Sequence, residues 1–226
     1  MPMPTVAIVV AAGAGVRMGA TVPKALMPLA GRPMLAWSLE ALHACGAVQA
    51  IVVVAPPGLE GQVAEVAGAG ATVVAGGDSR AESVREGLRA APPGAGLVLV
   101  HDAARPLVTP ELIEAVLEGV HGADGAIAAA PAADTLKRAG EGGLIEGTVP
   151  RQGLWAAQTP QAFHLSTLLD AVEAAEEQGR LGAATDCSSL VEERGRHVRL
   201  VESRAPNLKV TTPADATLAE ALLRAR

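Results

Sequence analysis

Thr5 to Ala12 is a continuous apolar, β-branched run bounded by Gly13, the pattern of a strand covered on both faces. The same character returns at Val48 to Ala55, Ala71 to Ala75, Leu97 to His101 and Ala126 to Ala130. Between these runs the apolar period lengthens. Pro33 to Cys45 sets Leu35, Leu39 and Leu42 along one face behind a proline at a helix start. Arg80 to Ala91 and Pro110 to Val120 are amphipathic in the same way. Strand and helix alternate as far as Pro131, which predicts an α/β fold built on a parallel sheet packed with helices.

After Pro131 the pattern changes. Asp134 to Arg138 and Leu144 to Val149 are short strand-like pieces around Ala139-Gly140-Glu141-Gly142-Gly143, predicting a projecting β-hairpin arm over 132–153. Leu165 to Gln178 reads as a helix and His197 to Val201 as a strand. Pro213 to Arg224 reads as a closing helix with proline near its first turn. No repeat or linker divides the chain, so 1–226 is expected to form one domain, with no room for a fused downstream synthase.

Composition sharpens this outline. Half the chain is hydrophobic, yet the aromatics are only Trp37, Trp155 and Phe163, so Ala, Val and Leu must build a core of closely packed elements. A net charge of −6 argues against nucleic acid or an anionic membrane as partner, each of which needs a basic face, and leaves a small anionic ligand open. Of 18 basic residues only Lys24, Lys137 and Lys209 are lysine. An ammonium and a guanidinium are not equivalent against phosphate, so the three stand out. Cys45 and Cys187 are far apart without a CxxC companion, which fits a reducing compartment rather than a disulfide framework or zinc site. The N-terminus lacks a basic leader and no apolar run approaches the roughly 18 to 20 residues that span a bilayer, so a cytoplasmic location is expected.

Ligands of open α/β sheets bind outside the carboxyl ends of the strands. Gly13, Gly76-Gly77-Asp78 and His101-Asp102 all fall there. Ala11-Ala12-Gly13-Ala14-Gly15-Val16-Arg17-Met18-Gly19 is a glycine turn in which backbone N–H groups can approach a phosphate. Met18 stands where a dinucleotide fingerprint needs glycine, and Lys24 lies between Pro23 and Ala25-Leu26 rather than in a P-loop. Two readings remain on glycines alone. One is a polyphosphate cradle flanked by Arg17 and Lys24, the other an ordinary strand-to-helix turn with solvated cations.

The Gly13-x-Gly15-x-Arg17-Met18 segment with Pro23-Lys24 resembles the opening of nucleotidyltransferases that activate sugar phosphates. Gly76-Gly77-Asp78-Ser79-Arg80-Ala81-Glu82-Ser83-Val84, Val100-His101-Asp102-Ala103-Ala104-Arg105-Pro106, Thr159-Pro160-Gln161 and Asn207-Leu208-Lys209-Val210-Thr211 narrow the likeness. Together they resemble the 2-C-methyl-D-erythritol 4-phosphate cytidylyltransferase family, in order from about residue 5 to 220.

The resemblance implies transfer of CMP from CTP to methylerythritol phosphate with Mg2+, by a homodimer that exchanges its β-arms, on a Rossmann-like α/β fold whose mostly parallel sheet is sandwiched by helices. It implies that Arg17, Lys24 and Lys209 act on the triphosphate and transition state. Ala12, Gly13, Ala14, Gly15, Gly77, Asp78, Ser83, Asp102 and Ala103 are implied to bind CTP, and Arg105, Thr135, Arg151, Thr159 and Thr185 the acceptor. It also implies Glu where Cys187 stands, so a local carboxylate role is missing here.

Each assignment has a plainer rival. Gly76-Gly77-Asp78 is also an ordinary turn before a helix, with Ser79 or Asp78 as cap. Asp102 with Arg105 reads as a loop-fixing ion pair, His101 as a core-edge histidine, Thr135 as a strand threonine and Arg151 as a solvated arginine. Thr159 and Thr185 read as backbone-bonded threonines. Lys137 reads as a hairpin-surface cation and Cys187 as a small buried hydrophobe. Two rivals stand for the whole chain: a cytidylyltransferase for another polyol phosphate such as ribitol 5-phosphate, and a non-catalytic CTP-binding regulatory subunit.

Overall fold

A computed structural model describes residues 3–13 and 23–226. The chain opens with β1 (Thr5–Val10), a small hairpin of β2 (Pro28–Leu29) and β3 (Arg32–Pro33), and α1 (Met34–Ala44). It continues through β4 (Ala50–Ala55), α2 (Glu60–Ala67), β5 (Thr72–Ala75), α3 (Arg80–Arg89), β6 (Leu97–Asp102) and α4 (Pro110–Gly119). Then follow β7 (Gly125–Pro131), the arm strands β8 (Leu136–Ala139) and β9 (Ile145–Val149), and β10 (Trp155–His164). The chain closes with α5 (Leu165–Glu177), α6 (Cys187–Glu193), β11 (Val198–Glu202) and α7 (Pro213–Arg224).

The central sheet has the order β11-β7-β10-β6-β1-β4-β5. Its pairings are parallel except those of β10, which runs antiparallel to both β6 and β7. The fold is therefore the mostly parallel α/β sheet that the alternation predicts, with β8 and β9 paired as a separate antiparallel hairpin. The pleat divides the core. Ala7 and Val9 of β1 face Leu35, Leu42 and Ile113 on α1 and α4, while Val6 and Ile8 face Val84, Leu88 and Leu168 on α3 and α5. Gly87 lets α3 lie close against β1, since a Cβ there would come within 2.5 Å of Ile8 Cγ2. A smaller cluster of Leu29, Leu107, Val210 and Leu223 seats α7.

Three elements depart from the sequence reading. α2 buries only Val63 and Ala67, too few to set a period. α6 is seven residues long, about two turns. β10 lies at the centre of the sheet although its sequence, Trp-Ala-Ala-Gln-Thr-Pro-Gln-Ala-Phe-His, carries proline and three polar residues inside it. Its register on β7 slips between Ala157 and Gln161, and the irregularity accommodates Pro160 where a regular ladder would not. The chain runs from β1 outward to β4 and β5, then returns to β6 on the other side of β1. That reversal opens a crevice at the carboxyl ends of β1 and β6. No helix among the described residues is long and apolar enough to cross a membrane.

Candidate active site

A cavity of about 430 Å³ occupies the crevice. Ala11, Ala12 and Gly13 line it from the end of β1, and Asp102, Ala103 and Ala104 from the end of β6. Lys24 enters from a 3-10 turn, Lys24–Leu26, and Gly77, Asp78, Ser79 and Ser83 from the start of α3. Arg17, Ala14 and Gly15 lie outside the described residues.

The α3 wall is set by local chemistry. Ser79 caps the helix by accepting from the Glu82 N–H, and Glu82 reaches back to the Ser79 N–H at 2.7 Å, a complete capping box. Ser83, buried one turn on, stands 3.3 Å from the Gly77 N–H and 3.5 Å from its carbonyl oxygen, which fixes that peptide's orientation. A Cβ on Gly76 would lie 2.7 Å from both Ala12 Cβ and Ser83 Oγ, so only glycine passes between them undisturbed. The wall so built sets small residues and backbone beside the cations Lys24, Arg80 and Lys209 in one cavity.

A second cavity of about 400 Å³ is lined by Arg105, Gln158, Thr159, Gln161, Thr185, Asp186 and Ser188, among others. Arg80, Asp102 and Lys209 line both cavities and form the wall between them. Arg80 Nε donates to Asp102 Oδ1 at 2.9 Å and Lys209 Nζ to Oδ2 at 2.7 Å, so one carboxylate is divided between two cations. Burial alone would push the Asp102 carboxyl up, but Arg80 and Lys209 together outweigh it and hold the group well below the usual carboxylate range. Asp102 is therefore ionised at any working pH.

The ion pair expected between Asp102 and Arg105 forms instead with Arg80 and Lys209. Arg105 Nη1 donates to the Asn207 carbonyl at 2.8 Å, which ties the β6 loop to the segment carrying Lys209. Its Nε is buried without a partner at the edge of the second cavity. Thr159 Oγ1 accepts the Asp102 N–H at 3.0 Å, so its own proton is left for His101 Nδ1 at 3.3 Å. The proton of His101 is thereby placed on Nε2, which donates to the Arg105 carbonyl at 3.3 Å. His101 is a core residue, as its apolar strand predicts, and Thr159 reaches the second cavity with its hydroxyl already engaged.

Thr185 is exposed at the second cavity beside Asp186, whose carboxylate caps α6 through the Ser189 N–H and also accepts from Gln161 Nε2 at 2.8 Å. Cys187 is buried, its thiol pKa raised by desolvation in spite of Arg80 3.7 Å away. Thr135 and Arg151 are exposed at the base of the arm and line neither cavity; Arg151 Nη1 donates to the Ala133 carbonyl. Lys137 bonds Thr148 across the arm at 2.7 Å, a hairpin-surface cation as the sequence suggests. Sequence reasoning assigned no role to Arg80, Gln161, Asp186 or Asn207. Arg80, Gln161 and Asn207 stand inside the segments that carry the family resemblance, and Arg80 is also the cation opening a helix beside a glycine loop.

His101 has a measurable consequence for stability. Burial, working against the pull of Asp102, lowers its pKa from 6.5 to about 4. The unfolded chain therefore binds a proton that the folded one refuses between these values. The stabilisation is complete above about pH 6.5 and lost as pH falls toward 4, worth at most roughly 3 kcal/mol. Urea unfolding between pH 7 and 4.5 should show a slope that His101→Gln reduces by one proton's worth. Equal slopes in both proteins would assign the acid sensitivity elsewhere.

The model of the family described as 2-C-methyl-D-erythritol 4-phosphate cytidylyltransferase matches residues 5–225. A protein of that name from Pelotomaculum thermopropionicum is 42% identical over 226 residues, covering 97% of this chain and 94% of that protein. One from Frankia casuarinae is 47% identical over 218 residues, covering 96% of this chain and 80% of that one. The crystal structure of 2-C-methyl-D-erythritol 4-phosphate cytidylyltransferase from Thermus thermophilus superposes with a TM-score of 0.82 at 37% identity, over 96% of this chain and 98% of that one. The matched span takes in nearly the whole chain, and the chain belongs to the 2-C-methyl-D-erythritol 4-phosphate cytidylyltransferase family.

Proposed function

We propose that the protein transfers CMP from CTP to 2-C-methyl-D-erythritol 4-phosphate, giving 4-diphosphocytidyl-2-C-methyl-D-erythritol and pyrophosphate in non-mevalonate isoprenoid precursor synthesis. The observation that carries this reading, alongside family membership, is the pair of adjoining cavities with a common cationic wall. One cavity suits a nucleotide and the other a phosphorylated acceptor. Residues 1–226 then act as one nucleotidyltransferase domain with 132–153 as its arm.

An acceptor phosphate oxygen attacks the α-phosphorus in line, the bond to the bridging oxygen breaks, and pyrophosphate leaves with the electron pair. Protein need only place charge. Lys24 and Arg17 serve the triphosphate, and Lys209, at the boundary between the cavities, serves the oxygens that gain charge as the bonds exchange. Ala12, Gly13, Gly77, Asp78 and Ser83 frame the cytosine and ribose; Arg105, Thr159 and Thr185 face the acceptor.

The family suggests a divalent cation, which we take to be Mg2+. No group of three His, Cys, Asp or Glu among the described residues makes a cage for it, and Asp102 is already divided between two cations. The residues fit a metal that arrives on the triphosphate, with Asp78 the remaining carboxylate on that cavity. Bound there, it neutralises phosphate charge and orients the chain of phosphates.

Leu144 is 75% exposed and Ile145 67% near the turn of the arm, and Leu136, Leu154 and Trp155 toward its base are also exposed. This apolar arm supports a homodimer in which Thr135 and Arg151 reach the partner's acceptor cavity. Subunits with Arg151→Ala, mixed with subunits carrying Lys24→Ala, should then recover one working site per mixed dimer. Activity no higher than the two parents would count against sharing. We take the protein to act in the cytoplasm, where a reducing environment keeps Cys45 and Cys187 as free thiols.

Pyrophosphate release with CTP, UTP, ATP and GTP against methylerythritol 4-phosphate and ribitol 5-phosphate tests the reading. Release with CTP and methylerythritol phosphate alone is expected. Release with ribitol phosphate would relocate the acceptor, and silence with every pair despite CTP binding would leave a non-catalytic regulatory subunit.

A further inference from the structure

Arg80, Asp102 and Lys209 are the described residues common to the walls of both cavities, and Arg80 has no part in the assignments above. It stands at the first position of α3, directly after the capping Ser79, and its guanidinium spans two elements. Nε meets Asp102 at the end of β6 at 2.9 Å, and Nη1 meets the Cys187 thiol at the start of α6 at 3.7 Å. A neutral thiol takes none of its charge, so Asp102 is the acidic partner that the structure gives Arg80.

This division matters for Lys209. A carboxylate held by one cation neutralises that cation; a carboxylate held by two leaves a net positive pair. With Arg80 on Oδ1, Asp102 meets Lys209 through Oδ2 alone, and the wall keeps a surplus positive charge toward both cavities. Without Arg80, Asp102 would close on Lys209 as an isolated neutral pair. The ammonium would then be less available to an incoming phosphate.

We propose that Arg80 is a positioning residue for cytidylyl transfer: by occupying Oδ1 of Asp102 it leaves the positive charge of the wall only half compensated and Lys209 aimed at the phosphates that meet between the two cavities. The inference rests on the cytidylyltransferase reading. It also separates from a structural role. α3 carries Ser83 and follows Gly77 and Asp78, so collapse of its first turn would damage the nucleotide cavity and raise the KM for CTP. Loss of charge sharing would instead act on the transfer step.

Arg80→Gln, Lys209→Ala, the double variant and Arg80→Lys should be compared in steady-state pyrophosphate release, with thermal unfolding to confirm that each folds. Arg80→Gln is expected to lower kcat/KM for the acceptor about tenfold while KM for CTP stays within about twofold. Arg80→Lys should restore part of the loss, because it returns the charge without the second contact. In the Lys209→Ala background, removal of Arg80 should cost little more, since the two act through one ammonium. Additive losses, or a rise in the KM for CTP with unchanged turnover, would overturn the inference while the cytidylyltransferase reading stood. A wild-type protein without pyrophosphate release would remove that reading and the inference with it.

Discussion

Replacing Lys24 by alanine is expected to lower the turnover of cytidylyl transfer about a hundred- to a thousandfold, while CTP binding weakens by less than about tenfold. The asymmetry follows from where the residue sits. Its backbone is fixed: the Leu26 N–H donates to the Pro23 carbonyl at 2.9 Å, the Met27 N–H to the Lys24 carbonyl at 3.2 Å, and the buried Ala25 anchors the turn in the core. A rigid support holds the side chain's point of departure at the wall of the nucleotide cavity. On the proposed reading the bound triphosphate's charge would be shared in the ground state among its counterion, backbone donors and several cations, so one ammonium would contribute modestly. As the bond to pyrophosphate breaks, charge concentrates on a few oxygens, and a cation already in place gains more there than it gained on binding. Single-turnover rates beside calorimetric CTP affinity separate these terms. Unchanged turnover with weakened CTP binding would show that Lys24 holds substrate and does no more.

The elements legible from the sequence are those whose burial is decided locally. β1, β4 and β6 are apolar on both faces because helices cover both, so no knowledge of neighbours was needed to find them. α3, α4 and α7 announce their starts through Ser79, Thr109 and Thr212, each of which accepts a backbone N–H three residues on. β10 has no such signature. Its place between β6 and β7 is decided by the two strands already waiting there, and its polar Gln158, Thr159 and Gln161 serve partners in other segments.

The site divides in the same way. Residues at strand ends and in glycine loops were legible singly, because strand termini and small residues mark the rim of the crevice. Their pairings were not. Asp102 meets Arg80 across 22 positions and Lys209 across 107, distances over which spacing carries no information. The local alternative, Arg105 three residues away, is the pairing sequence suggests and the fold declines. Cys187 shows the opposite case: the departure from the family pattern was plain, but its consequence, a neutral contact for Arg80, required the structure.

Asp102→Asn should separate what the divided carboxylate does for folding from what it does for transfer. The substitution keeps shape and removes one negative charge from between two cations. Asp102 is largely buried, Arg80 partly so, and Lys209 is 41% exposed. Solvent therefore screens much of the Lys209 contribution, and the loss rests chiefly on the Arg80 side. Breaking such a pair from one side costs about 2 to 3 kcal/mol, because the remaining charge keeps its desolvation and loses its partner. For a chain of this size that is roughly 5 to 10 °C in Tm.

Anions should then behave in an unusual way. The wall without Asp102 is more positive, so pyrophosphate is expected to bind the variant more tightly than the wild type and to return part of the lost Tm. Turnover should nonetheless fall by about a hundredfold or more, because Lys209 and Arg80 repel one another and the ammonium loses its aim. Tighter ground-state binding joined to slower transfer is a combination that general destabilisation does not produce. Thermal unfolding with and without pyrophosphate, beside kcat, measures all three. An unchanged Tm would mean that the carboxylate's two bonds merely offset its desolvation. Weaker pyrophosphate binding would mean that Asp102 holds the ligand through other groups, and that charge sharing across the wall is not what sets the rate.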